Sequence, residues 1–183
     1  SSDNRRIELP PMAEGNVVVY ELDEAFFPIY NVRCAGTQVP VFSLRSKTSF
    51  GVGDFGDLKK MIDWISLTQQ RVLQLLPIND TTTTHTWVDS YPYSSISIFA
   101  LHPQYVDLNA LPAIEDEAER QRFEALRQEL NALPQVDYER VNEAKTEYMK
   151  ILFLQEGKKA LASPEFKAFF AESESWLVPY AQY

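Results

Sequence analysis

Arg71-Val72-Leu73-Gln74-Leu75-Leu76-Pro77 is the stretch whose reading decides the fold. A short, almost continuous apolar run closed by proline reads as a strand buried on both faces, the kind found in parallel sheets. Upstream of it, Leu58, Met61, Ile62 and Ile65 recur at i, i+3, i+4 and i+7, which is one buried helical face, and Asp54 or Asp57 can cap that helix. Further upstream, Val39 to Leu44 reads as a short apolar strand with Pro40 near its start. The order is β-α-β, so the expected fold class is α/β with a parallel pair and a right-handed crossover.

Such sheets bind ligands at the carboxyl ends of their strands, where the connecting loops converge. The segment from Pro77 to Ser95, with four consecutive threonines at Thr81 to Thr84, is longer than most loops inside a domain, and loops of that length tend to be functional. It ends in Asp89-Ser90-Tyr91-Pro92-Tyr93-Ser94-Ser95, a few residues after Trp87. Flat rings stack on the apolar faces of sugars while hydroxyls and carboxylates satisfy their edges, so Trp87, Tyr91, Tyr93 and Ser90 read as a carbohydrate wall. The competing reading folds those rings back into the core.

Away from this unit the chain changes character. Val17 to Leu22 reads as a strand, and 26–36, with three aromatics, reads as an apolar linker packed on a surface. Ser97 to Leu108 fits either a short helix or a strand. Ala113 to Leu130 is a charged helix with a thin apolar stripe of Phe123, Leu126 and Leu130. Asp137 caps a longer helix with Val141, Ala144, Tyr148, Ile151 and Leu152 on its core face. Ser163-Pro164 starts a short helix with Phe166, Phe169 and Phe170 buried, and Ser173 starts a last one.

Composition narrows the partners. The 183 residues carry a net charge of −9, which disfavours nucleic acid and anionic membrane, both of which reward a basic face. No stretch reaches the length of a membrane span, and a cytoplasmic protein is expected. The single cysteine, Cys34, reads as a small buried apolar residue, and with two histidines far apart no metal or other cofactor is expected.

Retaining glycoside chemistry needs two carboxylates about 5 to 5.5 Å apart. Asp54, Asp80 and Asp89 follow the predicted strands, but Asp54 reads as a helix cap and Asp80 as the start of an Asx-turn. Asp89 either orients the loop or touches a sugar hydroxyl. A Gly51-Val52-Gly53 run with Gly56 lacks the spacing of a phosphate-binding loop.

Four ordered motifs carry a resemblance: Val39-Pro40-Val41-Phe42-Ser43-Leu44-Arg45-Ser46, then Gly51-Val52-Gly53-Asp54-Phe55 with Asp57-Leu58, then Gln74-Leu75-Leu76-Pro77-Ile78-Asn79-Asp80, then Asp89 to Ser95. Together they resemble the start of the catalytic barrel of 4-α-glucanotransferases, glycoside hydrolase family 77. Tyr91 interrupts the bacterial Asp-Ser-Pro-Tyr form, as in the plant-cytosolic-like branch that carries starch-binding modules ahead of the barrel. The resemblance implies the first strands and helix of an incomplete (β/α)8 barrel over 37–111, a mostly helical insertion over 112–183, a linker at 26–36, and the tail of a starch-binding-like β module at 1–25.

It further implies a substrate of maltooligosaccharide or α-1,4-glucan, with Tyr93 lining the donor subsite, Ser90 as a hydroxyl contact and Asp89 as its support. The family's nucleophile and acid/base sit in motifs that this sequence lacks. The chain is therefore expected to be an N-terminal piece, inactive alone, that self-associates through exposed barrel edges or covers them with its own helices. The alternatives are a free-standing carbohydrate-binding or interaction module, and a small complete enzyme using a pair among Asp54, Asp80 and Asp89.

Overall fold

The sheet starts three residues earlier than its apolar run. In a computed structural model that describes residues 33–183, strand β1 is Gly36–Gln38 and strand β2 is Val72–Gln74, joined by helix α1, Phe55–Leu67. The strands are parallel with Gly36 opposite Val72 and Gln38 opposite Gln74, and Val39 N–H extends the ladder to the Gln74 carbonyl at 3.0 Å. The β-α-β order therefore stands. The strand expected at Val39 to Leu44 is corrected: Val41–Ser43 is a 3-10 turn. Pro40 has no N–H to continue the ladder, and the Ser43 N–H and hydroxyl both return to the Pro40 carbonyl.

A second correction concerns β2. Its residues alternate exposed, half-buried, exposed, and Val72 is 44% exposed. Among the described residues the sheet has two strands, and Leu73 is only half-buried between two exposed neighbours, so β2 is not buried on both faces as the run of leucines anticipated. Cys34, expected to be buried, is exposed just ahead of this sheet. The strand read at Val17 to Leu22, the module at 1–25 and most of the 26–36 linker lie outside the described residues.

Helix α1 begins with a capping box. Asp54 Oδ1 accepts the N–H groups of Gly56 and Asp57 at 2.9 and 3.1 Å, and Asp57 Oδ2 accepts the Asp54 N–H at 3.3 Å. Ile65 is buried, while Ile62 and Trp64 lie on the exposed side.

The core forms where the glycine-rich loop meets helices α2 (Glu117–Ala132) and α3 (Tyr138–Ala162). Phe50 and Val52 from that loop pack with Leu108, Ile114, Phe123, Leu130, Val141, Ala144 and Leu152. Segments on both sides of the boundary read at 111 and 112 thus share one cluster. Gly51, at φ +73°, lets the loop press onto the helices: a Cβ there would meet Leu130 Cβ at 2.8 Å. Lys145 on α3, fully buried, donates to the carbonyls of Gln104 and Val106 at 2.6 and 2.8 Å. Burial pulls its ammonium down to about 8, against the opposing pull of Asp54, Asp107 and Asp57.

The caps read at Asp137 and Ser163 are present, each accepting an N–H three residues on. The last two helices are one, α4, Pro164–Gln182. Glu172-Ser173-Glu174 holds no helix breaker, so the backbone continues and Ser173 is buried inside the helix rather than capping it. Phe169 and Phe170 stay partly exposed instead of forming its buried side. Between Ser97 and Leu108 the chain forms a 3-10 turn at Pro103–Tyr105, with Asn79 bridged to Leu101.

Candidate functional site

The long loop after β2 folds around one buried carboxylate. Asp89, 2% exposed, accepts the N–H groups of Thr83, Thr84 and His85 at 2.7 to 3.2 Å and both threonine hydroxyls at 2.8 and 3.0 Å. Burial pushes its carboxyl up, but the hydrogen bonds from Thr83 and Thr84 outweigh burial and hold it at about 2. His85 adopts φ 58°, a left-handed turn that this set of bonds maintains. Asp89 therefore supports the loop from within, one of its two sequence readings, and its oxygens are already engaged.

A chain of buried polar groups ties the loop to α3. His102 Nδ1 accepts the Gln104 N–H at 3.2 Å, so Nε2 carries the hydrogen and donates to the Tyr138 hydroxyl at 2.8 Å. Within the loop, Thr81 Oγ1 donates to the Asp89 carbonyl at 2.5 Å. Burial lowers the His102 pKa, against the pull of Asp80 and Asp89, and burial pushes the Tyr138 hydroxyl up to about 12. A second tie is independent of the first: the Trp87 N–H donates to Glu139 at 3.0 Å.

Asp89 belongs to a 3-10 turn, Trp87–Ser90, of which Trp87 and Ser90 border a cleft of about 500 Å³. Trp87 is half-exposed, with its ring 6.1 Å from that of Tyr138, and Ser90 Oγ donates to the Trp87 carbonyl at 2.7 Å. Phe42 and Arg45 from the segment after β1, Gln104, and Gln135 between α2 and α3 complete the walls. A half-open, largely apolar cleft with a few hydroxyl and amide groups suits a sugar ring.

Of the four residues singled out in the sequence, the structure brings Trp87 and Ser90 together in the cleft and buries Asp89 within the same turn. Tyr93 lies outside the cleft lining, 60% exposed, with its ring 5.5 Å from that of Tyr91. The tyrosines thus do not fold back into the core. Sequence reasoning missed Phe42, Gln104, Gln135 and Tyr138. Phe42 lies in the first quoted motif and Tyr138 directly after the Asp137 cap, but nothing in either place points to the Trp87 turn tens of residues away.

None of the three aspartates is free in the cleft. Asp54 caps α1; Asp80 Oδ1 holds the Thr82 N–H at 2.9 Å, as the Asx-turn reading anticipated, and its Oδ2 accepts from the Tyr180 hydroxyl of α4. Asp80 also borders a second, more polar cleft with His85, Glu139, Glu143 and Lys150. Among the described residues no group of His, Cys, Asp and Glu is placed to hold a metal ion, and no helix is long and apolar enough to cross a membrane.

The profile of the 4-alpha-glucanotransferase family, glycoside hydrolase family 77, matches residues 39–183. The chain belongs to this family. It is similar to the 4-alpha-glucanotransferase DPE2 of Oryza sativa subsp. japonica, 42% identical over 156 residues, which are 82% of this chain and 16% of the rice protein. It is also similar to the 4-alpha-glucanotransferases of Chlamydia muridarum and Chlamydia trachomatis, 38% and 39% identical over 147 residues, 80% of this chain and 27% of each of those proteins. The chain thus spans a sixth to about a quarter of the length of these relatives. The family's matched segment includes every wall of the cleft, from Phe42 to Tyr138.

Proposed function

We propose that this chain supplies a carbohydrate-binding wall of a 4-α-glucanotransferase, which moves α-1,4-glucan segments between maltooligosaccharides by a retaining mechanism. The observation that carries the reading is the cleft of Trp87, Ser90 and Tyr138, set on the loop after a parallel strand, inside the segment that the glucanotransferase family matches. In this reading β1, α1 and β2 are the first elements of a (β/α)8 barrel and α2 to α4 belong to a helical insertion. Tyr93 reaches the donor glucan from the rim, Trp87 and Ser90 hold it in the cleft, and Asp89 keeps their turn in place. The interrupted motif at Tyr91 and the rice relative support a plant-like branch, with a starch-binding module ahead of residue 26 and a cytoplasmic location.

Catalysis itself is assigned to carboxylates outside this chain. Asp54, Asp80 and Asp89 are each engaged in fixing local backbone, and the cleft lining contains no carboxylate. Titrating the 183-residue chain with maltotriose, followed by tryptophan fluorescence, is expected to show weak binding of about millimolar Kd. Trp87→Ala should abolish the signal. No saturable change up to tens of millimolar would remove the binding reading, and release of glucose from maltotriose by the chain alone would overturn the assignment of catalysis elsewhere.

A further inference from the structure

One imidazole holds two walls of the cleft. The backbone of His102 is anchored just after β2, its N–H on the Ile78 carbonyl at 3.0 Å. Its ring, 3% exposed, reaches in two directions: Nδ1 accepts the Gln104 N–H, Nε2–H donates to the Tyr138 hydroxyl, and both Gln104 and Tyr138 line the cleft. The Tyr138 ring stands perpendicular to the imidazole and 6.1 Å from the ring of Trp87, so the cleft's exposed aromatic leans on a wall that His102 holds. Both bonds need one tautomer of the neutral ring, because a proton on Nδ1 sets a donor against the Gln104 N–H.

The groups that face this ring come from three segments: Asp80 and Asp89 in the loop after β2, Tyr105 on its own turn, and Tyr138 and Lys145 on α3. Burial opposes the proton most, Asp80 and Asp89 favour it and Lys145 opposes it, so the ring is neutral at pH 7 and charges only below its ordinary 6.5. No other residue lining the cleft changes charge in that range. Arg45 stays cationic, and the Tyr138 hydroxyl is pushed up to about 12.

We propose that His102 is a positioning residue of the cleft, setting the Tyr138 and Gln104 walls together, and that the cleft grips a glucan only while this imidazole is neutral. This rests on the carbohydrate reading above and adds to it the residue that shapes the site from behind. Maltotriose carries no titratable group, so any pH dependence of its binding belongs to the protein.

The test is isothermal titration of the 183-residue chain with maltotriose from pH 7.5 to about pH 5.5, below the unfolding temperature throughout. Affinity is expected to hold near neutral pH and to weaken about fivefold at the acid end, the scale of one buried hydrogen bond. His102→Asn keeps a short acceptor for the Gln104 N–H but gives up Tyr138, and should bind about fivefold more weakly at every pH with a flat profile. His85→Gln, at the chain's other histidine, and Glu139→Gln, at the acid that accepts the Trp87 N–H, should both keep the slope. Equal affinity across the range in the unaltered chain overturns the proposal, as does a slope that survives in His102→Asn or vanishes in either control.

A second readout needs no sugar. In a chain carrying Trp64→Phe and Trp176→Phe, the emission of Trp87 should shift over the same pH range, with a midpoint matching the His102 imidazole resonance in NMR. That match also decides if His102→Asn fails to fold, and a Trp87 emission indifferent to pH overturns the positioning role. Should maltotriose fail to bind at any pH while the emission still follows His102, the glucan reading falls and the positioning role stands.

Discussion

The carboxylate of Asp89 accepts three successive backbone N–H groups from Thr83 to His85, so removing it leaves several donors unpaired inside the loop. Asp89→Ala is expected to cost about 3 kcal/mol, read from urea unfolding. Its pKa is held below the ordinary 3.8, at about 2, so the stability it contributes is complete above pH 3.8 and is lost as pH falls toward 2. The unfolding curve of Asp89→Asn should be flatter over that acid range than that of the unaltered chain. His102 gives a second window. Its pKa lies below the ordinary 6.5, chiefly through burial, so the unfolded chain binds the proton first and stability falls as pH drops below 6.5. Tm measured from pH 7 down to pH 5 should fall in the unaltered chain and fall less in His102→Gln; parallel curves would sink the prediction. At this scale the sequence showed which residue types were present but not where they point. Asp89 lies in a loop, where no period of 2 or 3.6 aims a side chain, and the choice between loop support and sugar contact came from its neighbours in space.

Among the elements, the glycine-rich loop is what joins the β-α-β unit to the helices. Gly51→Ala must accept both a φ of +73° and a Cβ at 2.8 Å from Leu130, and is expected to destabilise by about 2–3 kcal/mol in thermal unfolding. Lys145 clasps the Pro103–Tyr105 turn and Val106 just after it to α3, and Lys145→Ala leaves two carbonyls unpaired beside a cavity, again a loss of about 3 kcal/mol. The helices were legible because their signals are local. The caps at Asp54, Asp137 and Ser163 and the stripe of Phe123, Leu126 and Leu130 each lie within a few turns of chain. The strands were less so: the apolar run from Val39 is pulled off the sheet by Pro40, and the ladder falls instead on Gly36–Gln38, where Gly36 lets Val72 approach. A run of hydrophobic residues marks burial, and burial here is in a loop core rather than in a sheet.

For the whole molecule, α1 and β2 leave large apolar side chains exposed among the described residues. Leu67 is 82% exposed, with Ile62, Trp64 and Val72 about half-exposed. Surfaces of this kind associate, and sedimentation of the chain is expected to show concentration-dependent oligomers that Leu67→Glu shifts toward monomer. A monomer at all concentrations in both would contradict it. The sequence by itself determined the β-α-β order, the helix caps and the family, because each of these rests on residues close in the chain or on motifs in fixed order. It also located the loop that carries the cleft. Only the tertiary structure decided that Trp87 and Ser90 face the cleft while Asp89 is buried in the same turn, and that Tyr138 and Arg45, from distant segments, complete the walls. Those placements depend on contacts between residues tens of positions apart, which hydrogen bonding and packing select in three dimensions and which no local pattern of side chains records.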